Sequence, residues 1–306
     1  MRIAHFSDLH ILSLEGVKLH RFLNKRITGY ANLRLKRDHI HHPRFVRAIA
    51  REIRRSKVDH VVITGDLTNL ALDEEFAAVG ALLDEELGLP PSDVSIVPGN
   101  HDLYTRGALR EKRVVKYFGA HMTSDLPELG VELPLGRFPF VRLRGPAAII
   151  GITSAVPRLP LFATGKIGKA QAEALARILE HPEVRRRTPV VLMHHPAHNP
   201  LSTVKRLLTG LDDAALLWSS IKDVPHGLVL HGHLHKRIQR NMKTSAGRMI
   251  SVGATSASLE HEDEGKMAGF NLYEIGDSGE VGRIEAHVLD AKNETFEVSS
   301  VPKMME

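Results

Sequence analysis

Cysteine is absent from all 306 residues. That absence excludes a disulfide framework, a thiolate-held structural zinc or iron–sulfur cluster and a cysteine nucleophile. Aromatic residues are scarce at 5%, with one tryptophan, so few side chains are present to stack on unpaired bases, which counts against a nucleic-acid groove. No run approaches the ~20 apolar residues of a membrane-spanning helix. Thr164-Gly165-Lys166 lacks the upstream glycine of a nucleotide-triphosphate loop. The N-terminus, Met1 to Asp8, enters a strand-like run at once, so no cleaved signal peptide is expected and a cytoplasmic protein is the plain reading.

The 42% hydrophobic content suffices for a substantial core, and one large domain over 1–306 with an insertion is expected. Asp59 to Thr64 reads as a buried strand because it is short, β-branched and closed by Gly65. The same form recurs in Ser95-Ile96-Val97 before Pro98-Gly99, in Pro189 to Met193 before His194-His195, and in Gly227 to Leu230 before His231-Gly232. Between these runs, helical stripes are predicted after Pro43 (Phe45, Val46, Ile49, Ile53) and after Asp73 as N-cap (Phe76, Val79, Leu82, Leu83). A third stripe holds Gln171, Leu175 and Ile178, a fourth Leu207, Leu211, Leu216 and Leu217, and residues 106–118 are helix-like. From about Arg248 the pattern turns to antiparallel strands up to about 290, with a hairpin at Asp277-Ser278-Gly279.

Positive charge is concentrated. Residues 18–57 hold 13 Lys and Arg against Asp38 and Glu52, while the whole chain is only +5. The segment at about 18–42 mixes this charge with Phe22, Leu23, Ile27, Tyr30 and Leu33, a composition suited to an anionic membrane surface or an amphiphilic phosphate. A solvated basic face is the plainer alternative. His39, His41 and His42 lack accompanying carboxylates and read as surface or substrate-contacting residues.

Asp8-Leu9-His10, Gly65-Asp66, Gly99-Asn100-His101-Asp102, His194-His195 and Gly232-His233-Leu234-His235 each stand where an apolar run stops. Open α/β sheets place their chemistry at strand C-terminal ends. Carboxylate oxygen and neutral imidazole suit hard-to-borderline divalent ions, so the set describes a metal site assembled from distant segments.

This ordered set resembles the calcineurin-like metallophosphoesterase superfamily, over Asp8 to His235. The resemblance implies an α/β fold, a β-sandwich flanked by helices in four αββα layers, forming a single metallophosphoesterase domain. It also implies two divalent cations, with manganese, iron and zinc all admitted by the ligand types. Asp8, His10 and His235 would hold one ion and Asn100, His194 and His233 the other, with Asp66 bridging. A metal-bridging hydroxide would attack phosphorus, and His101 would stand beside the leaving group. His195 and His231 read as structural. Asn69, His198 and Arg106 are candidate substrate contacts, with a structural role the alternative for His198. Many family members carry an Asp where this chain has Asn69, a change that favours good leaving groups.

The expected activity is therefore hydrolysis of a phosphodiester or diphosphate bond in a phosphorylated small molecule, a nucleotide or a lipid-linked substrate. A peripheral contact of residues 18–42 with an anionic membrane is part of that expectation. Two other readings compete: a nuclease gripping nucleic acid through the basic segment, and a non-catalytic metal-stabilised scaffold.

Overall fold

The computed structural model describes residues 1–13, 41–159 and 161–304. The basic segment at 18–42 therefore lies outside the described residues, except for His41 and His42. The apolar runs build two six-stranded sheets. Sheet one contains β1 (Arg2–Phe6), β2 (His60–Ile63), β3 (Val94–Ile96), β12 (Gly269–Ile275), β13 (Val281–Asp290) and β14 (Thr295–Ser300), in the order β14-β13-β12-β1-β2-β3. A small hairpin, β4 (Val131–Leu133) with β5 (Gly136–Phe138), precedes sheet two. Sheet two contains β6 (Phe140–Arg144), β7 (Ala147–Gly151), β8 (Thr188–Leu192), β9 (His226–His231), β10 (Ile238–Lys243) and β11 (Arg248–Gly253), in the order β10-β11-β9-β8-β7-β6.

Strand periodicity explains how the layers close. Successive side chains point to opposite faces. Val190 and Leu192 of β8 and Leu228 and Leu230 of β9 join one core with Ile3, Phe6 and Val61 of sheet one, whereas Val191, Met193 and Val229 face the other way. There they meet Leu175 and Ile178 of the helix Lys169–Glu180, and Leu217 and Ile221 of the helix Ala214–Ile221. Phe45 and Ile49 of the helix Pro43–Arg55, and Phe76 and Val79 of Asp73–Leu82, pack into the first core. Helices thus cover a two-sheet sandwich, the four-layer α/β architecture implied by the family resemblance.

Several local expectations differ from what forms. Asp73 is the first helical residue rather than the cap; Leu72 holds that place, and the Glu75 carboxylate reaches back to accept from the Leu70 and Leu72 N–H groups. Residues 106–118 form two short helices, broken where Lys112 takes a left-handed conformation (φ 48°). The fourth stripe is likewise two helices, Thr203–Thr209 and Ala214–Ile221, because Gly210 is extended and Leu211 bridges to Gly165. Strand β11 runs parallel to β9 and antiparallel only to β10, a strand whose polar sequence hid it. Buried Arg142 on β6 donates to the carbonyls of Pro91, Val94, Ala120 and Thr123, and so fixes the edge of sheet two to the segments flanking β3.

Candidate metal centre

Each motif emerges from the C-terminal end of a strand, and most of its ligand candidates bend the backbone at once. Asp8, His10, Asp66, His233 and His235 all have positive φ, between 47° and 68°. Non-glycine residues visit that region at a cost, and clusters of them mark functional sites. Close approach explains the motif glycines. A Cβ on Gly99 would lie 2.2 Å from the Asp66 nitrogen, and one on Gly232 would lie 2.0 Å from Ser7 Oγ and 2.3 Å from Asp8 Oδ2.

The bends bring seven side chains from two sheets to one place. His235 Nε2 stands 3.2 Å from Asp8 Oδ1 and 3.1 Å from His10 Nε2. His194 Nε2 stands 3.0 Å from Asn100 Oδ1 and 3.4 Å from Asp66 Oδ2. His233 Nδ1 lies 3.1 Å from the same Asn100 oxygen. Asp8, His10 and His235 form one group with ligand atoms within 4.8 Å of one another, and Asp66 belongs to two further groups, one with Asp8 and His194, the other with His10 and His101. Asp8, His10, Asp66 and His194 are buried, whereas Asn100, His233 and His235 are half-buried, His235 keeping 23% of its side chain exposed.

Hydrogen bonds decide which ring nitrogen is offered. His194 Nδ1 donates to the Thr64 carbonyl at 2.7 Å, and His233 Nε2 donates to the Thr209 carbonyl at 3.0 Å. The opposite nitrogens are left to face the centre, as expected of ligating imidazoles. His101 Nδ1 donates to the Asn69 carbonyl at 2.8 Å, while its backbone N–H donates to Asp66 Oδ1 at 2.7 Å. Asp102 is a staple: its carboxylate accepts from the Gly99 and Thr68 N–H groups and ties the second motif to the third.

Burial pulls the His233 imidazole down to about 3, with His194 adding to it, and burial together with His101 holds His10 well below the usual range. Burial opposes ionisation of Asp66, but His194 and then His101 outweigh it and keep the carboxylate well below its ordinary value. His194 is lowered by burial and raised more by the Asp66 and Asp8 carboxylates, reaching about 9. Ionised carboxylates facing lone pairs of mostly neutral imidazoles form a ligand set that fits two divalent cations.

The remaining candidates divide. His195 sits outside the ligand set, its ring 4.4 Å from that of His233, with Nδ1 on Ser154 Oγ and Nε2 on the Ala163 carbonyl. His231 is buried against the Gly232 carbonyl. Asn69 is buried and its amide donates to the His10 carbonyl, so it props a ligand loop and is closed to substrate. His198 packs edge-on against Trp218, 5.2 Å between centroids, which makes it a packing residue. Arg106 is exposed at the first position of the helix Arg106–Arg110. His41, expected from the sequence to be a surface or substrate-contacting residue, lies beside the centre: its ring is 5.3 Å from that of His10 and 6.1 Å from that of His235, with Nδ1 2.7 Å from Ser258 Oγ. Its position just ahead of the Pro43 helix start was the available signal. The Thr64 and Thr209 carbonyls had none, since every residue carries one.

A sequence model of the calcineurin-like phosphoesterase family matches residues 1–237. A dimetal phosphatase from Danio rerio is similar in structure, with a TM-score of 0.59 at 15% identity, covering 93% of this chain and 94% of that one. A purple acid phosphatase from yellow lupin (Lupinus luteus) seeds gives a TM-score of 0.61 at 11% identity, covering 99% of this chain and 53% of that one. At such identities the likeness is one of fold. The search of curated proteins finds no match.

Proposed function

The chain belongs to the calcineurin-like phosphoesterase family, and from that premise we propose that it hydrolyses a phosphodiester or diphosphate bond in a nucleotide or lipid-linked phosphate. One observation carries the choice of bond. His101 is oriented by the neutral Asn69 carbonyl, with the Asn69 amide turned away to His10. A carbonyl raises imidazole basicity less than a carboxylate does, so the departing oxygen receives less help from protonation. Diphosphates and activated diesters need that help least.

Asp8, His10 and His235 would hold one divalent cation, Asn100, His194 and His233 the second, and Asp66 would face both, since a carboxylate has lone pairs enough for two cations. When bound, two such ions polarise a phosphoryl group and acidify water near neutral pH. The Thr64 and Thr209 carbonyls keep His194 and His233 in the tautomers that face the centre. As the new P–O bond forms and the old one opens, His101 would stabilise or protonate the departing oxygen through Nε2, its Nδ1–H still donating to the Asn69 carbonyl.

The test is a substrate panel on metal-free protein reconstituted with manganese: a simple phosphomonoester, a phosphodiester and a lipid-linked nucleotide diphosphate. Turnover of the diester or diphosphate well above the monoester is expected. Preference for the monoester would overturn the bond assignment, and equal rates for wild type and Asp66→Asn would overturn the enzymatic reading itself.

A further inference from the structure

Beside the candidate centre, two neighbouring segments expose apolar side chains that the fold leaves uncovered among the described residues. Leu159, Leu161 and Phe162 stand on one, Leu201, Val204 and Leu207 on the other. The segments are joined by Ala163 N–H to Leu208 carbonyl at 2.7 Å and Gly165 N–H to Gly210 carbonyl at 2.9 Å. Leu161 is 92% exposed and Leu201 fully so. Scattered surface leucines are ordinary, but six in one place mark an interaction surface.

The local structure holds these side chains outward. Leu201, Val204 and Leu207 recur every third residue on and just before the helix Thr203–Thr209, which buries none of its own residues. An apolar helical stripe turned away from the core needs a partner elsewhere. Leu161 occupies a turn closed by Phe162 N–H on the Leu159 carbonyl, with φ of 73°. Glycine or asparagine adopts that conformation easily and leucine does not. The chain therefore bears a backbone cost to present a leucine to solvent.

Charge selects the partner. Residues 154–171 and 196–211 contain no Asp or Glu, yet carry Arg158, Lys166, Lys169, Lys205 and Arg206. Arg158 is engaged by Asp212, while Lys166, Lys205 and Arg206 are exposed around the stripe. The adjoining acids are engaged within the fold, Asp212 by Arg158 and Asp213 by the Ile167 and Gly168 N–H groups, so apolar side chains flanked by the exposed Lys166, Lys205 and Arg206 match a bilayer with anionic headgroups, whose surface attracts each Lys or Arg while the leucines enter the acyl boundary. Both segments are also tied to the centre, through the Thr209 carbonyl on His233 and the Ala163 carbonyl on His195.

We propose that the face formed by Leu159, Leu161, Phe162, Leu201, Val204 and Leu207 docks on anionic lipid bilayers, next to the metal centre. This surface lies in a part of the sequence other than the basic segment at 18–42. The inference stands apart from which phosphorus bond is cleaved.

The test uses full-length, manganese-reconstituted protein and flotation with phosphatidylcholine vesicles, with and without phosphatidylglycerol. Flotation with the anionic vesicles is expected, and a Phe162→Trp reporter should shift its emission to the blue when they are added. Leu161→Ser/Phe162→Ser should weaken binding at least about tenfold, the scale of withdrawing one or two large apolar side chains from burial, with turnover of a water-soluble diester unchanged as the check on folding. Lys205→Glu/Arg206→Glu should abolish the preference for phosphatidylglycerol. No flotation of active wild type would overturn the proposal, as would a dimer in solution dispersed by Leu161→Ser/Phe162→Ser without any vesicle binding.

Discussion

The two halves of the candidate centre are built to different standards. Around Asn100, His194 and His233, both imidazoles have their outer nitrogens fixed by main-chain carbonyls, Thr64 and Thr209. Around Asp8, His10 and His235, the buried His10 Nδ1 has no hydrogen-bond partner among the described residues and His235 is partly open to solvent. The neighbouring rings on that side are His101 and His41, side chains rather than carbonyls of the scaffold. Fixing the outer nitrogen sets tautomer and ring orientation, and losing such a partner typically costs about 10–100-fold in metal affinity. One half is thus preorganised and the other adjustable, so a cation held by Asp8, His10 and His235 should exchange more readily than one held by Asn100, His194 and His233.

The largest expected effect removes the contrast altogether. Asp66→Asn touches both halves and should lower kcat/KM by on the order of a thousandfold or more, since several kcal/mol of charge stabilisation go with it. Metal analysis after reconstitution should show both cations weakened. A loss confined to one cation would mean that Asp66 serves a single half.

Next, His101→Asn should reduce kcat by roughly 10²-fold or more while leaving two cations bound. His101 packs 4.9 Å from His10, so loss of a cation in that variant would reassign it from the leaving group to the adjustable half. Smaller still is the difference between the halves themselves. Mild chelation should remove one cation first, with about 10–100-fold between the two affinities. His10→Asn should leave close to one tightly held cation and His233→Asn less than one; Asn is chosen because it tolerates the left-handed backbone at both positions. Equal loss from the two variants would erase the distinction.

The smallest effect calibrates the background of buried imidazoles unrelated to metal. Burial lowers His60 to about 3, with Arg142 adding to it, and His60 Nε2 lies 2.8 Å from Ser95 Oγ. The folded pKa lies below the unfolded one, so on acidification the unfolded chain takes up the proton first and stability is lost as pH falls below about 6.5. From pH 7.5 to 5.5, His60 should remove roughly 1 kcal/mol. Thermal melts of metal-free His60→Gln should show a shallower pH slope than wild type over that window, and an unchanged slope would shift the acid sensitivity to the centre.

Legibility in the sequence followed the range of the signal. Ligand residues stood at strand ends because the apolar runs Val61-Val62-Ile63 and Leu228-Val229-Leu230 terminate abruptly in Gly65-Asp66 and His231-Gly232. The division into two cores was not legible from periodicity, because runs such as Pro189 to Met193 are apolar at every position; the second sheet was implied only by the family resemblance, and Val190 and Val191 face opposite layers. Polar β10 offered no such run. The break at Lys112 depends on a backbone angle that composition does not carry. Asn69 exposes the deeper limit: its identity suggested a weak orienter of His101, but its main-chain carbonyl makes the contact and its side chain turns elsewhere.

Gly232 carries one more consequence. The absence of a side chain there lets the loop after β9 press against Ser7 and Asp8 at the end of β1, so each half-site draws its candidate ligands from both sheets: Asp8 and His10 with His235, Asn100 with His194 and His233. A cation bound in either half would then clasp the two sheets together. Mass action makes its concentration a stability variable, with each tenfold excess over Kd adding about 1.4 kcal/mol against unfolding. The melting temperature of this protein should climb with the logarithm of free divalent metal, and Gly232→Ala, by holding the two sheet ends apart, should flatten that climb.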